Sequence, residues 1–390
     1  MTRYILKRMA QMFVLFIVFL TLTFFILQAL PGDIVAQQLA GNPNLPPQAR
    51  QVALERLGLD KSLPEQFGSY LVNFFQGDLG FSYSQYPRPV IDIIGERLPR
   101  TLVLFTTAIV LIYWTGFIAG KYLAWRRNMR GEMALTVAGV TLYTVFYPWF
   151  AILLIWLFGV QLNWLPLNQF ITPSKWTNTA FAGQANQVFW WMTYSTGLLV
   201  LALFTVSRVA KRLSDPRSAR LTRLIGGGIA VGAYAWWWSG HPALPFALDI
   251  GFHMILPTMT LVLIGFAGIM LLTRSSMLET MKEDYILTAR AKGLSERAVR
   301  DNHAARTALL PVVTSLVLAV ASVIDGGIVT ETVFSWPGMG ELLVTSIVLE
   351  DIPLALGAFS FVGVLAVIGH LVADILYGFL DPRITISKAA

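Results

Sequence analysis

Long apolar runs separated by short polar stretches dominate this chain, and their lengths set the elements it predicts. About 20 predominantly apolar residues are needed to cross a bilayer as a helix. Eight stretches approach that length, at 9–30, 101–124, 135–160, 188–206, 224–238, 254–273, 310–329 and 354–378. The expectation is an all-α, polytopic membrane protein of about eight transmembrane helices. The segment 1–30 is then an N-terminal anchor helix, 31–100 an extracytoplasmic helical segment, and 101–390 the membrane core. Within 31–100, Val52, Leu54 and Leu57 space a short helix over 47–57 that Gly58 stops, and Pro64 opens a second over 64–75 ahead of Gly77. This segment reads either as a cap over the helix ends or as a docking surface for an external partner.

Composition removes the soluble alternative. Of 390 residues, 13% are charged and 55% hydrophobic, whereas a soluble domain carries about 25% charge. The net charge of +7 sits beside apolar runs rather than on a polar face, so it marks topology and not a nucleic-acid surface. With the N-terminus inside, threading eight spans places 22 of the 29 Lys and Arg in cytoplasmic segments. Both termini then lie in the cytoplasm. The loop 274–310 is cytoplasmic whether or not the pair 188–206 and 224–238 crosses, because spans added in pairs preserve parity. Arg3, Lys7 and Arg8 ahead of an apolar run imitate a signal peptide, but the run is long and 30–33 shows no small-residue cleavage pattern, so it is read as an uncleaved anchor. The absence of cysteine excludes thiolate metal sites, disulfides and cysteine nucleophiles.

The loop 274–310 differs from the other connections. Tyr285, Ala289 and Lys292, and also Ile286 and Arg290, fall at helical spacings over 281–291; Gly293 offers a left-handed stop, and Ser295 opens a second helix over 297–308 that runs toward Pro311. Such a protrusion suits a groove on another protein, or else an amphipathic pair on lipid headgroups. No phosphate-loop string, HExxH or GxSxG occurs, and the four histidines are far apart, so the chain is read as non-catalytic. A charge inside a span is costly and points to a pathway or a buried pair. Asp325, with Ser322 a turn away, is the sharpest case: it faces the translocation path or pairs with a partner helix. Glu331 follows as a further pathway candidate. His370 and Asp374 share a face four residues apart, where a local hydrogen bond is favoured over a proton relay.

The string ILTARAKGLSERAVRDNHAARTALLPVVT at 286–314 resembles the cytoplasmic loop of ABC importer permeases of the dipeptide/oligopeptide type. LPGD at 30–33, GDLGFS at 77–82, ETVFSWPGMG at 331–340 and ADILYGFLDPRI at 373–384 agree with the same family, in order. The resemblance implies one permease subunit of an ATP-driven importer in a prokaryotic cytoplasmic (inner) membrane. Its partners would be a second permease, two ABC ATPase subunits that bind ATP and Mg, an extracytoplasmic solute-binding protein and membrane lipid. The family's ATPase-coupling helix maps onto Glu283, Asp284, Thr288, Ala289, Arg290, Ala291, Lys292 and Gly293. Ala289 and Ala291 would allow close approach, Gly293 would make the bend, and Arg290 and Lys292 would pair with partner acids. The implied cargo is a di- or oligopeptide, with nickel or oligosaccharides as alternatives. A self-sufficient, proton-coupled secondary transporter is the competing class. Family members usually have six spans, which makes 176–249 an inserted hairpin.

Overall fold

The computed structural model describes residues 2–29, 62–125, 130–213, 215–321 and 327–380, and these are overwhelmingly helical. In chain order the helices are α1 (Thr2–Gln28), α2 (Leu63–Phe75), α3 (Val90–Trp125), α4 (Arg130–Thr144) and α5 (Tyr147–Leu154). They continue as α6 (Ala185–Arg212), α7 (Pro216–Ser239), α8 (Leu244–Thr280), α9 (Asp284–Ala291), α10 (Ala305–Ala321), α11 (Gly327–Val333), α12 (Met339–Val348) and α13 (Ile352–Leu380). Wider π-helical turns extend α5 over Ile155–Gln161 and precede α10 over Val299–Ala304.

Among the described residues five helices, α1, α3, α6, α8 and α13, are long and apolar enough to cross a membrane, or six spans if the bent pair α4–α5 is one. Eight were expected, and two of the three differences have a local cause. The run at 135–160 turns by 106° between α4 and α5, with Pro148 in the first turn of α5, where its missing N–H leaves no bond unmade. The run at 224–238 lies in α7, whose first two turns carry Arg217, Arg220 and Arg223. The run at 310–329 includes 322–326, which lie outside the described residues; its described parts are in α10 and α11. Helix α10 runs through Pro311; one lost backbone bond is tolerated inside packed membrane helices. The helix expected at 64–75 is α2, closed at its start by a capping box between Ser62 and Glu65. The one expected at 47–57 lies outside the described residues.

At 36 and 37 residues, α3 and α8 are about 54–56 Å long at 1.5 Å per residue. That exceeds the roughly 30 Å hydrocarbon layer, so both run on beyond the lipid core.

The chain divides into two compact units, Met1–Leu153 with Pro257–Ala390, and Leu154–Leu256. In the first, Val90, Ile93 and Ile94 of α3 pack with Met339, Leu342 and Leu343 of α12 and with Leu354 and Ala358 of α13. Phe24 and Leu27 of α1 meet Ala355 and Leu356 of α13, covered by Phe67 and Tyr70 of α2. Gly116 and Gly120 let α3 approach α8 closely: a methyl group at Gly120 would fall 2.4 Å from the Met270 carbonyl oxygen. Small residues four apart serve this purpose in membrane helices, where close packing rather than hydrophobicity drives association.

In the second unit α6 and α7 form an antiparallel hairpin. Gly226 faces Val206, the Thr196 and Tyr234 hydroxyls lie 3.2 Å apart, and Trp238 Nε1 donates to Ser195 Oγ at 3.2 Å. Buried Asp249 gathers the preceding loop: it accepts from the Thr172 amide and hydroxyl, both at 2.8 Å, from Trp176 Nε1 at 2.9 Å and from Lys175 Nζ at 3.1 Å.

Candidate functional site, a helical hairpin carried on long helices

The protrusion expected from the sequence is a helical hairpin between the end of α8 and the start of α10. Its first arm, α9, begins after Glu283 in extended conformation. Its end is set by Gly293 at φ +74°, with Gly293 N–H donating to Arg290 O at 2.9 Å and Leu294 N–H to Ala289 O at 3.4 Å. This crossed pair satisfies two carbonyls that the helix end would otherwise leave bare. Ser295 then caps the next turn, accepting from Ala298 N–H at 3.3 Å.

One face of α9 is buried within the chain. Ile286 and Ala289 pack with Val299, Ala304, Ala305 and Ala308 from the second arm, Met277 from α8 and Ala124 from α3. Polar bonds reinforce this footing. Tyr285 donates to Thr307 Oγ1 at 2.9 Å, and Lys121 of α3 reaches Asp301 at 3.0 Å. Arg300 donates to both oxygens of Asp301 at 2.9 and 2.8 Å, and these bonds, joined by Lys121, hold the Asp301 carboxyl well below the usual carboxylate range. The Arg290 and Arg300 guanidiniums lie 6.0 and 5.9 Å from the Trp125 ring.

One expected role changes. Ala289 is 5% exposed, so its small side chain packs inside the hairpin. Arg290 is exposed, 3.3 Å from Glu296 and 6.0 Å from the Trp125 ring. Glu283, Asp284, Thr288, Ala291, Lys292 and Gly293 are exposed. So are Leu287 and Leu294, at 57% and 41%, which sequence reasoning missed. Part of their signal was present: Leu287 and Ala291 fall at i and i+4, away from the buried pair Ile286 and Ala289, and Leu294 is an apolar residue directly after the Gly293 stop. The hairpin thus offers an apolar ridge with a charged edge on a rigid base.

The second expected group lies elsewhere. Ser322 and Asp325 fall outside the described residues. Glu331 is 0% exposed within this chain. It accepts from Thr101 Oγ1 at 2.6 Å, Gly340 N–H at 2.6 Å and Glu341 N–H at 3.2 Å. Thr101 Oγ1 in turn accepts from Met339 N–H at 2.8 Å. A carboxylate from α11 therefore meets the open amides at the start of α12, where the helix dipole favours negative charge. A Cβ at Gly338 would lie 2.2 Å from that carboxylate, and one at Gly340 2.5 Å from the Ile328 backbone. The motif at 331–340 is a fold anchor, completed by fully buried Trp336, whose Nε1 donates to Arg100 O at 3.3 Å.

GDLGFS behaves alike: Ser82 Oγ, Ser84 N–H and Ser84 Oγ donate to buried Asp351 Oδ2 at 2.5, 2.8 and 2.7 Å, at the start of α13. His370 and Asp374 do not form the expected pair. Asp374 meets Arg8 of α1 at 2.5 Å, and His370 Nδ1 lies 2.8 Å from the Ala366 carbonyl.

Comparison with known proteins agrees with this layout. The family model described as "Binding-protein-dependent transport system inner membrane component" matches residues 221–386, and its N-terminal companion matches 1–105. The Pseudomonas aeruginosa (strain UCBPP-PA14) di/tripeptide transport system permease protein DppB is 32% identical over 387 residues, spanning 98% of this chain and 99% of the relative. The Escherichia coli (strain K12) dipeptide transport system permease protein DppB is 31% identical over 388 residues, all of both chains. The Bacillus subtilis (strain 168) oligopeptide transport system permease protein AppB is 30% identical over 384 residues, 98% of this chain and 99% of the relative. With its apolar helices and this end-to-end similarity, the chain belongs to the inner-membrane components of binding-protein-dependent transport systems.

Proposed function

We propose that this chain is one permease subunit of an ATP-driven importer of di- or oligopeptides. In this reading α9 docks in a cleft of a cytoplasmic ATPase, and a second permease completes the passage. The observation that carries the coupling role is the division of α9 into a buried face, Ile286 and Ala289, and an exposed face with Leu287 and Ala291, which exposed Leu294 follows just beyond the Gly293 stop. A ridge seated on α3, α8 and α10 can pass displacement to the helices, because its own packing does not yield. The peptide assignment rests on full-length similarity to relatives named for peptide transport. ATP binding would draw two such ridges together and shift the permease pair between inward- and outward-facing populations.

The test is reconstitution of the full chain with its partner permease, ATPases and binding protein in vesicles. Leu287→Glu places a charge on the ridge without touching the hairpin's own core. ATP-dependent peptide uptake should fall by at least about tenfold, the scale for loss of a central apolar contact at an interface. Unchanged uptake in Leu287→Glu, or uptake by this chain alone on a proton gradient, would sink the proposal.

A further inference from the structure

The Arg-rich turn between α6 and α7 has no part in the coupling reading. Helix α6 ends in Arg208, Lys211 and Arg212 and α7 opens with Arg217, Arg220 and Arg223, all six exposed. Between Ala185 and Ser239 the sequence holds one acid, Asp215. Its carboxylate caps α7, accepting from Arg217 N–H at 3.2 Å, Ser218 N–H at 2.9 Å and Ser218 Oγ at 2.7 Å. Among the described residues no acidic side chain pairs with any of the six cations. Like charges three and four residues apart repel, so this cluster calls for an external anion.

The surface beside it says which kind. Leu201, Phe204, Leu224, Ile225 and Ile229 are 54–67% exposed, and Arg208 lies back over the Phe204 ring at 5.0 Å. Charge and bare apolar surface therefore begin within the same helical turns. Because α6 is a membrane-crossing helix, this apolar strip faces acyl chains and sets the cationic cluster at the level of the lipid headgroups. A molecule with an anionic head and hydrocarbon tails satisfies both. We propose that the turn between α6 and α7 binds the headgroup of an anionic phospholipid, whose acyl chains lie along the exposed leucine and isoleucine side chains of the hairpin. Planar guanidiniums suit the two-oxygen recognition of a phosphodiester, and each basic side chain near an anionic membrane surface strengthens association by about fivefold.

The experiment uses the full chain purified in nanodiscs of mixed phosphatidylglycerol and phosphatidylcholine, with retained lipid measured by native mass spectrometry. The wild type should retain phosphatidylglycerol preferentially. Arg217→Gln, Arg220→Gln and Arg223→Gln together should lower that preference by at least about tenfold, whereas the matching triple Lys variant, which keeps the charge, should hold it within a few fold. Three results overturn the proposal: no preference in the wild type, the same preference in the Gln variant, or loss of preference in the Lys variant. An acidic protein as the true occupant would give the second of these.

Discussion

Glu331 shows how one side chain can be misread from its neighbours in sequence. A carboxylate beside an apolar run suggests a pathway group, yet here Thr101 and the amides of Gly340 and Glu341 use it fully. Glu331→Ala should lower the unfolding free energy by about 3 kcal/mol, through orphaned amides and a cavity. Glu331→Gln, which keeps one acceptor oxygen, should cost about 1 kcal/mol. Gly338→Ala should cost about 2 kcal/mol by crowding the carboxylate. The double variant Glu331→Ala with Gly338→Ala should be less destabilised than the sum, because removing the carboxylate removes the crowding. Thermal unfolding of the four proteins in one detergent checks this, and strict additivity would count against the anchor. That Glu331 and the 331–340 motif mattered was legible in the sequence. Their role was not, since the partners Thr101 and Gly340 lie 230 and 9 residues away and only the fold unites them.

At the scale of elements, local rules were readable and long-range ones were not. Gly293 as the stop of α9, Ser295 as a cap and the helix from Pro64 follow from backbone chemistry and were found. The direction of Ala289 was missed because helical spacing defines faces without saying which one the rest of the protein covers. Two expectations follow for the hairpin. Gly293→Ala meets no atom within 4 Å, but its φ of +74° penalises any Cβ, by about 1 kcal/mol. Amide exchange in α9 should accelerate roughly fivefold while α3 and α8 are unchanged, and uniform acceleration would refute a local effect. Asp301 titrates below its usual range because Arg300, and with it Lys121, bonds the ionised form. A depressed carboxylate contributes its stability above the unfolded value, about 3.9, and loses it as pH falls through the folded value. Protection factors in the hairpin should therefore hold from pH 8 to 5, and Asp301→Asn should lower them across that whole range. A drop confined to pH 5–6 would point to another group.

At the scale of the whole molecule, the number of crossings decides which side of the membrane the hairpin occupies. Among the described residues five or six helices qualify by length and composition, and ahead of the hairpin the two open elements are the bent pair α4–α5 and the Arg-fronted α7. Both must cross, or neither, if the seven cations between Arg274 and Arg306 are to stay on the N-terminal side, as the positive-inside rule requires. If both cross, the loop before α6 faces outward and the α6–α7 turn inward; if neither does, those two exchange sides while the hairpin stays put. The chain has no cysteine, so single introduced thiols report without background. With an impermeant maleimide on intact cells, Ser174→Cys should label at once, and Lys211→Cys and Lys292→Cys only after the membrane is opened. The reverse pattern at 174 and 211 would remove both doubtful crossings and leave the hairpin's placement intact. Labelling of Lys292→Cys from outside would remove the ATPase from reach of the ridge, since Leu287 and Leu294 would then face the side where no nucleotide is available.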